Sequence, residues 1–284
     1  MGGQAHPSVT LFGNFFMVRN LIKQALMNYA WPLARFLLSR RSGISLSKAS
    51  SIWISSGNTV IDIGANDGRT AFVFSCCVGR NGSVYAIEPN PALCKNIRQS
   101  RYKNIAVHKI AISSSIGETD FFIDTQASAV ASTLNRAHVA REMERHGAVF
   151  ARTRIKTVTL DRFCDENHIV PDFIKIDVEG AEEDVIRGGL EVLRRHHPIV
   201  WFECWCGQEN GVPINAQLSH LALLKTLGYR LFVATVFNKN GQWILQEAPE
   251  NPRQLLPLTD EVVCGPTVGI DVAAIPNGRL VPKF

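Results

Sequence analysis

From residue 59 onward, short β-branched runs alternate with stretches whose apolar residues recur every three or four positions. The runs predict strands at Val60–Gly64, Ser83–Ile87, Ala106–Ile112, Phe173–Asp177, Ile199–Glu203 and Arg230–Val236. Between them the spacing predicts helices at Arg69–Val78, Pro91–Arg101, Ala181–Arg195 and Asn215–Leu227. Local chemistry agrees. Pro91 suits a first helical turn, Gly79 and Gly228 suit helix stops, and Pro198 prevents the preceding helix from continuing. Strands alternating with helices imply an α/β fold, a doubly wound and mostly parallel sheet covered on both faces.

Two regions depart from this rhythm. Ser113–Asp172 is too long for a crossover of one helix and must hold extra structure. Within it Glu118–Asp124 alternates like a hairpin strand, Ala137–His146 reads as a polar helix, and Arg154–Thr159 reads as a strand with one wet face. Ahead of the domain, Phe15, Val18, Ile22 and Tyr29 recur at helical spacing until Pro32 interrupts them. The expected organisation is an N-terminal helical and basic extension over 1–50 and a catalytic domain over 51–284, its core at 59–248 and its insertion at 113–172.

Charge sharpens that division. Residues 1–61 carry six Lys or Arg and no acid, leaving 24 basic against 25 acidic residues in the rest. A nearly neutral body disfavours a nucleic-acid partner, which needs many phosphates neutralised. For residues 1–45 two expectations stand side by side, packing on the domain or lying on an anionic membrane surface. No apolar stretch approaches the ~20 residues of a membrane span, so the expected location is cytoplasmic, with peripheral membrane contact through residues 1–45 as the variant. Seven cysteines without a C-x-x-C pair read as reduced core residues.

The chemistry gathers at strand ends. The first strand runs into Asp62-Ile63-Gly64-Ala65-Asn66-Asp67-Gly68 and then a helix, placing small residues where the backbone must turn tightly and admit a ligand. Its glycine spacing is not the G-x-G-x-x-G that makes room for a pyrophosphate. A sulfonium cofactor has no pyrophosphate. It offers a carboxylate to a helix N-terminus and an ammonium to an acid such as Asp62, which favours S-adenosylmethionine over a nicotinamide dinucleotide. Glu88 ends the second strand, where a carboxylate accepts from ribose hydroxyls. Asp177 and Glu179 leave the fourth strand at its C-terminal end, and Glu203 ends the fifth.

No metal site is expected. The eight histidines show no ligand spacing, and two neighbouring carboxylates do not define one.

Taken together, VIDIGANDGRT, YAIEPNP, TVTLDRF, IKIDVEGAEEDVIRGG and IVWFECW resemble the FkbM family of class I methyltransferases, over about residues 59–236. The resemblance implies a seven-stranded doubly wound sheet binding S-adenosylmethionine and methyl transfer to a hydroxyl of a sugar, glycan or secondary metabolite. By position it implies cofactor contacts from Asp62, Gly64, Asn66, Gly68, Glu88 and Asp177. It fixes no catalytic base. Since an alcohol is a poor nucleophile until its proton is taken, Glu179 and Glu203 are the candidates. Two alternatives remain at this point: a nicotinamide- or nucleotide-sugar-dependent oxidoreductase on a similar strand–turn–helix, and a methyltransferase fold that serves as a scaffold.

Overall fold

The computed structural model describes residues 53–100, 102–125, 133–134, 136, 139–140, 143–144, 147, 149–209, 212–213, 219–237, 243–247 and 267–279. The expectations for residues 1–45 lie outside them, as do most residues of the polar helix expected at Ala137–His146. No helix among the described residues is long and apolar enough to cross a membrane.

The strands are β1 (Thr59–Ile63), β2 (Ser83–Ile87), β3 (Ile105–His108), β4 (Ala111–Ile112), β5 (Gly117–Asp124), β6 (Phe150–Val158), β7 (Phe173–Ile176), β8 (Ile199–Glu209), β9 (Val212–Pro213), β10 (Tyr229–Phe237), β11 (Trp243–Glu247) and β12 (Thr267–Pro276). The helices are α1 (Arg69–Val78), α2 (Pro91–Arg98), α3 (Leu160–Asn167), α4 (Glu182–Arg187), α5 (Leu190–His196) and α6 (Ser219–Thr226).

Seven strands form the body of the main sheet in the order β3-β2-β1-β7-β8-β12-β10, and β11 extends it past β10. The pairs β3–β2, β2–β1, β1–β7 and β7–β8 are parallel, while β12 runs antiparallel to both neighbours. The chain winds outward from β1 to β3 and later restarts beside β1 at β7. The order therefore reverses between β1 and β7, where an open α/β sheet leaves a ligand crevice beyond its strand C-termini.

Alternation along the strands divides the core. Ile61, Ile63, Ile174 and Ile176 share one face with Leu160, Phe163, Val185, Leu193 and Leu221 in a buried cluster. The opposite face holds Val60, Asp62, Phe173 and Lys175, with the registers Val60↔Phe173 and Asp62↔Lys175. Phe74 of α1 packs edge-on to Phe173 there at 5.6 Å, both rings fully buried. Burying each ring contributes roughly 1.5–3 kcal/mol.

Two sequence expectations are corrected and one strand is added. The helix expected over Ala181–Arg195 is two helices, broken at Gly188-Gly189, where two poor helix formers adjoin. A Cβ on Gly188 would stand 2.1 Å from the Ser113 carbonyl oxygen and one on Gly189 2.7 Å from Leu160, so the close packing there also requires glycine. Asp161 then caps the second helix, accepting from Glu191 N and Val192 N. The strand expected over Ala106–Ile112 ends at His108, and β4 pairs instead with β6 in a three-stranded sheet of β4, β6 and β5. A strand unread in the sequence, β12, fills the gap between β8 and β10.

Candidate functional site

A cleft opens at the C-terminal ends of β1, β2 and β7, lined among others by Gly64, Asn66, Glu88, Pro89, Asp177 and Glu179. Of the eight site residues read from the sequence, Gly64, Asn66, Glu88, Asp177 and Glu179 line it, and Asp62, Gly68 and Glu203 do not.

The turn after β1 is built on conformations that a side chain resists. Gly64 has φ +77°, Asn66 φ +50° and Gly68 φ +83°. A Cβ on Gly64 would stand 1.7 Å from the Asp177 carbonyl oxygen, so the end of β1 passes directly against the chain leaving β7. Gly68 lies outside the cleft as the N-cap of α1, where a Cβ would meet Ile97 at 2.8 Å. Asn66 carries the third left-handed φ, which asparagine tolerates better than most residues.

Glu88 is 5% exposed and ties two segments together. One carboxylate oxygen accepts from Asn66 N at 2.9 Å, the other from Asn90 N at 2.8 Å. Burial pushes its carboxyl up to about 7, against the pull of those two N–H groups. Each ionised oxygen still has a second lone-pair direction, so the side chain can serve a hydroxyl while it holds the turn.

Asp62 turns away. Its position in β1 puts its side chain on the face under α1, wholly buried, with Oδ1 3.3 Å from Lys175 Nζ. Burial raises its carboxyl pKa, opposed by Lys175. Asp62 thus forms an internal ion pair with Lys175, because the period of two along a strand sends alternate side chains to opposite faces.

After β7 the chain makes a strained bend with Glu179 at φ +55° and Gly180 at φ +95°. Two groups hold it. Glu182, 3% exposed, accepts from Val178 N at 3.1 Å and Gly180 N at 3.2 Å through one oxygen. Burial pushes the Glu182 carboxyl up to about 7. From the insertion, Thr133 Oγ1 donates to the Glu179 carbonyl at 2.8 Å. Sequence reasoning missed both residues. An acid opening a helix after E-G-A was a signal for the first, though Glu182, Glu183 and Asp184 share it. Nothing in the sequence singled out Thr133. The insertion also lines the cleft with Phe121 and Leu134 beside Thr133.

Asp177, Glu179 and Glu203 each bring a carboxylate oxygen within 4.8 Å of the others, a grouping that a divalent cation or a shared proton can satisfy. Glu203 does not line the cleft; it sits midway along β8, which continues to Glu209 instead of ending there, and is paired in register with Asp271 of β12. Burial, then the charges of Asp177, Glu179, Glu182 and Asp271, push its carboxyl up to about 9. At neutral pH Glu203 therefore carries a proton.

Residues 62–231 match the model of the methyltransferase FkbM domain. The chain is 28% identical over 145 residues to the 2-O-methyltransferase NoeI of Sinorhizobium fredii, an alignment covering 48% of this chain and 59% of that protein. Among solved structures it is similar to an FkbM methyltransferase of Methylobacillus flagellatus, with TM-score 0.42 and 14% identity over 68% of this chain and 43% of that one. A second is an S-adenosylmethionine-dependent O-methyltransferase of Thermotoga maritima, with TM-score 0.43 and 14% identity over 87% and 71%.

The residues in the cleft fit the cofactor of such enzymes. The Glu88 carboxylate is buried at the end of β2 with acceptor capacity to spare, as a ribose diol requires. With the family model spanning more than half its length, this chain belongs to the FkbM methyltransferases.

Proposed function

We propose that this enzyme methylates an oxygen, a hydroxyl on a sugar, glycan or secondary metabolite. The observation that carries the reading is the grouping of Asp177, Glu179 and Glu203, whose carboxylate oxygens converge within 4.8 Å beyond the end of β7 and beside the middle of β8. An amine acceptor arrives with its own lone pair once neutral, whereas a hydroxyl needs its proton taken as the new bond forms. The similarity to NoeI, named a 2-O-methyltransferase, supports the same reading.

S-adenosylmethionine supplies an electrophilic methyl group on a sulfonium. Glu88 would hold the ribose hydroxyls, the turn from Gly64 to Gly68 would receive the cofactor backbone, and Asp177 would face the methionine end. Glu179 lines the cleft and Glu203 does not. Glu179 is therefore the general base, which would accept the hydroxyl proton as the acceptor oxygen bonds to the methyl carbon and the carbon–sulfur bond breaks, and the protonated Glu203 within 4.8 Å of it tempers the charge of the group. Phe121, Thr133 and Leu134 bring the insertion to the cleft, where they would form part of the acceptor's wall and help orient its oxygen.

The test is transfer from carbon-13 methyl-labelled cofactor into a panel of hydroxyl and amine acceptors and into a crude extract, followed by NMR of the labelled product. A methyl ether is expected. A labelled methylamine or C-methyl product would overturn the reading.

A further inference from the structure

Lys175 is the one charged residue of β7, a strand that reads Phe-Ile-Lys-Ile and is buried throughout. Its ammonium is closely surrounded. Nζ lies 3.3 Å from Asp62 Oδ1 and 3.1 Å from Asp177 Oδ2, and it donates to the Gly64 carbonyl at 3.3 Å. Burial would lower its pKa, but the Asp177 and Asp62 carboxylates outweigh burial and raise it, so the side chain stays charged.

The three acceptors are not scattered. Asp62 and Gly64 belong to the end of β1, Asp177 to the end of β7, and these are the two strand ends between which the sheet order reverses. The strands need no such clamp to pair, since backbone register already joins Val60–Ile63 to Phe173–Ile176 and Asp177 N donates to Ile63 O at 3.0 Å. What the ammonium adds lies beyond the strands. It fixes the free end of the Asp177 side chain, 41% exposed toward the cleft, and the carbonyl at the first residue of the glycine turn.

We propose that Lys175 is a positioning residue for S-adenosylmethionine, holding the Asp177 carboxylate and the Gly64 turn in the mutual arrangement that binds the cofactor. It does not line the cleft and acts through those two groups. The inference concerns cofactor binding and stands apart from the choice of acceptor.

The test is a double-mutant cycle read by calorimetric titration with S-adenosylmethionine. Lys175→Met should raise the dissociation constant by about tenfold or more, the size of a lost charge-assisted hydrogen bond. In an Asp177→Asn background the same substitution should add less than about threefold, because the group it acts through has lost its charge. A purely structural lysine would give equal losses in both backgrounds. Removing the ammonium also strands the buried Asp62, so Asp62→Asn/Lys175→Met, which removes both charges, is the variant to use if the single one fails to fold. Wild-type affinity in the folded variant, or losses that multiply across the cycle, would overturn the proposal.

Discussion

Gly64 and Asp177 meet backbone to backbone, the missing Cβ of one standing where it would come within 1.7 Å of the carbonyl oxygen of the other. This contact joins the cofactor turn to the bend after β7. Gly64→Ala should therefore cost on the order of 3–5 kcal/mol, combining a clash with backbone and a left-handed φ. Gly57, at φ +90° with nothing within 4 Å of its Cβ position, separates the two terms. Gly57→Ala should cost only about 1–2 kcal/mol. Denaturant melts of both variants check the difference, and similar losses would mean that the Gly64 contact is relieved by a small shift.

Cofactor affinity should depend on Glu88 and on pH in one direction. Burial places its carboxyl near 7. Above that value it is ionised and accepts only. Below it the protonated oxygen loses acceptor capacity toward Asn66, Asn90 and a ribose hydroxyl. Affinity measured by calorimetry should fall as pH drops from 8 to 6, and Glu88→Ala should bind about tenfold or more weakly at every pH. A variant with unchanged affinity would remove Glu88 from the site.

Stability should respond to Glu203 with the opposite trend from an ordinary ion-paired acid. Its folded carboxyl is pushed to about 9, against 4.5 for the group in water. Between those values the folded chain keeps a proton that the unfolded chain releases, so rising pH costs the fold. Glu203→Gln does not titrate. Its melting temperature should exceed that of the wild type by a margin that widens from pH 6 to pH 9. A margin independent of pH would show that Glu203 is already ionised in the folded protein.

Much of this site was legible because its residues stand at strand ends. A run such as Val-Ile-Asp-Ile closing on Gly64, or Phe-Ile-Lys-Ile closing on Asp177, marks both the strand and the edge where a parallel sheet takes ligands. Glu88 was readable for the same reason. What one strand cannot report is its neighbour's register. Asp62 reads as a ligand-edge acid until its pairing with Lys175 puts both side chains under α1. The break at Gly188-Gly189 was legible locally, since two consecutive glycines disfavour a helix, whereas only tertiary contact reveals Thr133, whose partner is a backbone carbonyl 46 residues on. The strand β12 escaped notice because the recognisable motifs end before it, while its place in the sheet depends on β8 and β10.

The carboxylate group should work without a metal ion. With a proton on Glu203 the three side chains have a way to coexist. Chelator-treated enzyme, assayed for methyl transfer, should keep its kcat. Loss of activity restored by magnesium would put a cation among Asp177, Glu179 and Glu203 instead.

The general-base assignment is tested most directly by comparing Glu179→Gln with Glu203→Gln in cofactor titrations and single-turnover methyl transfer. Glu179 lines the cleft, and Glu203, its carboxyl pushed up to about 9, does not. Glu179→Gln should bind S-adenosylmethionine normally while its transfer rate to a hydroxyl falls by a factor on the order of 10² or more, and Glu203→Gln should lose much less. A Glu179→Gln enzyme that transfers methyl groups at the wild-type rate would contradict it.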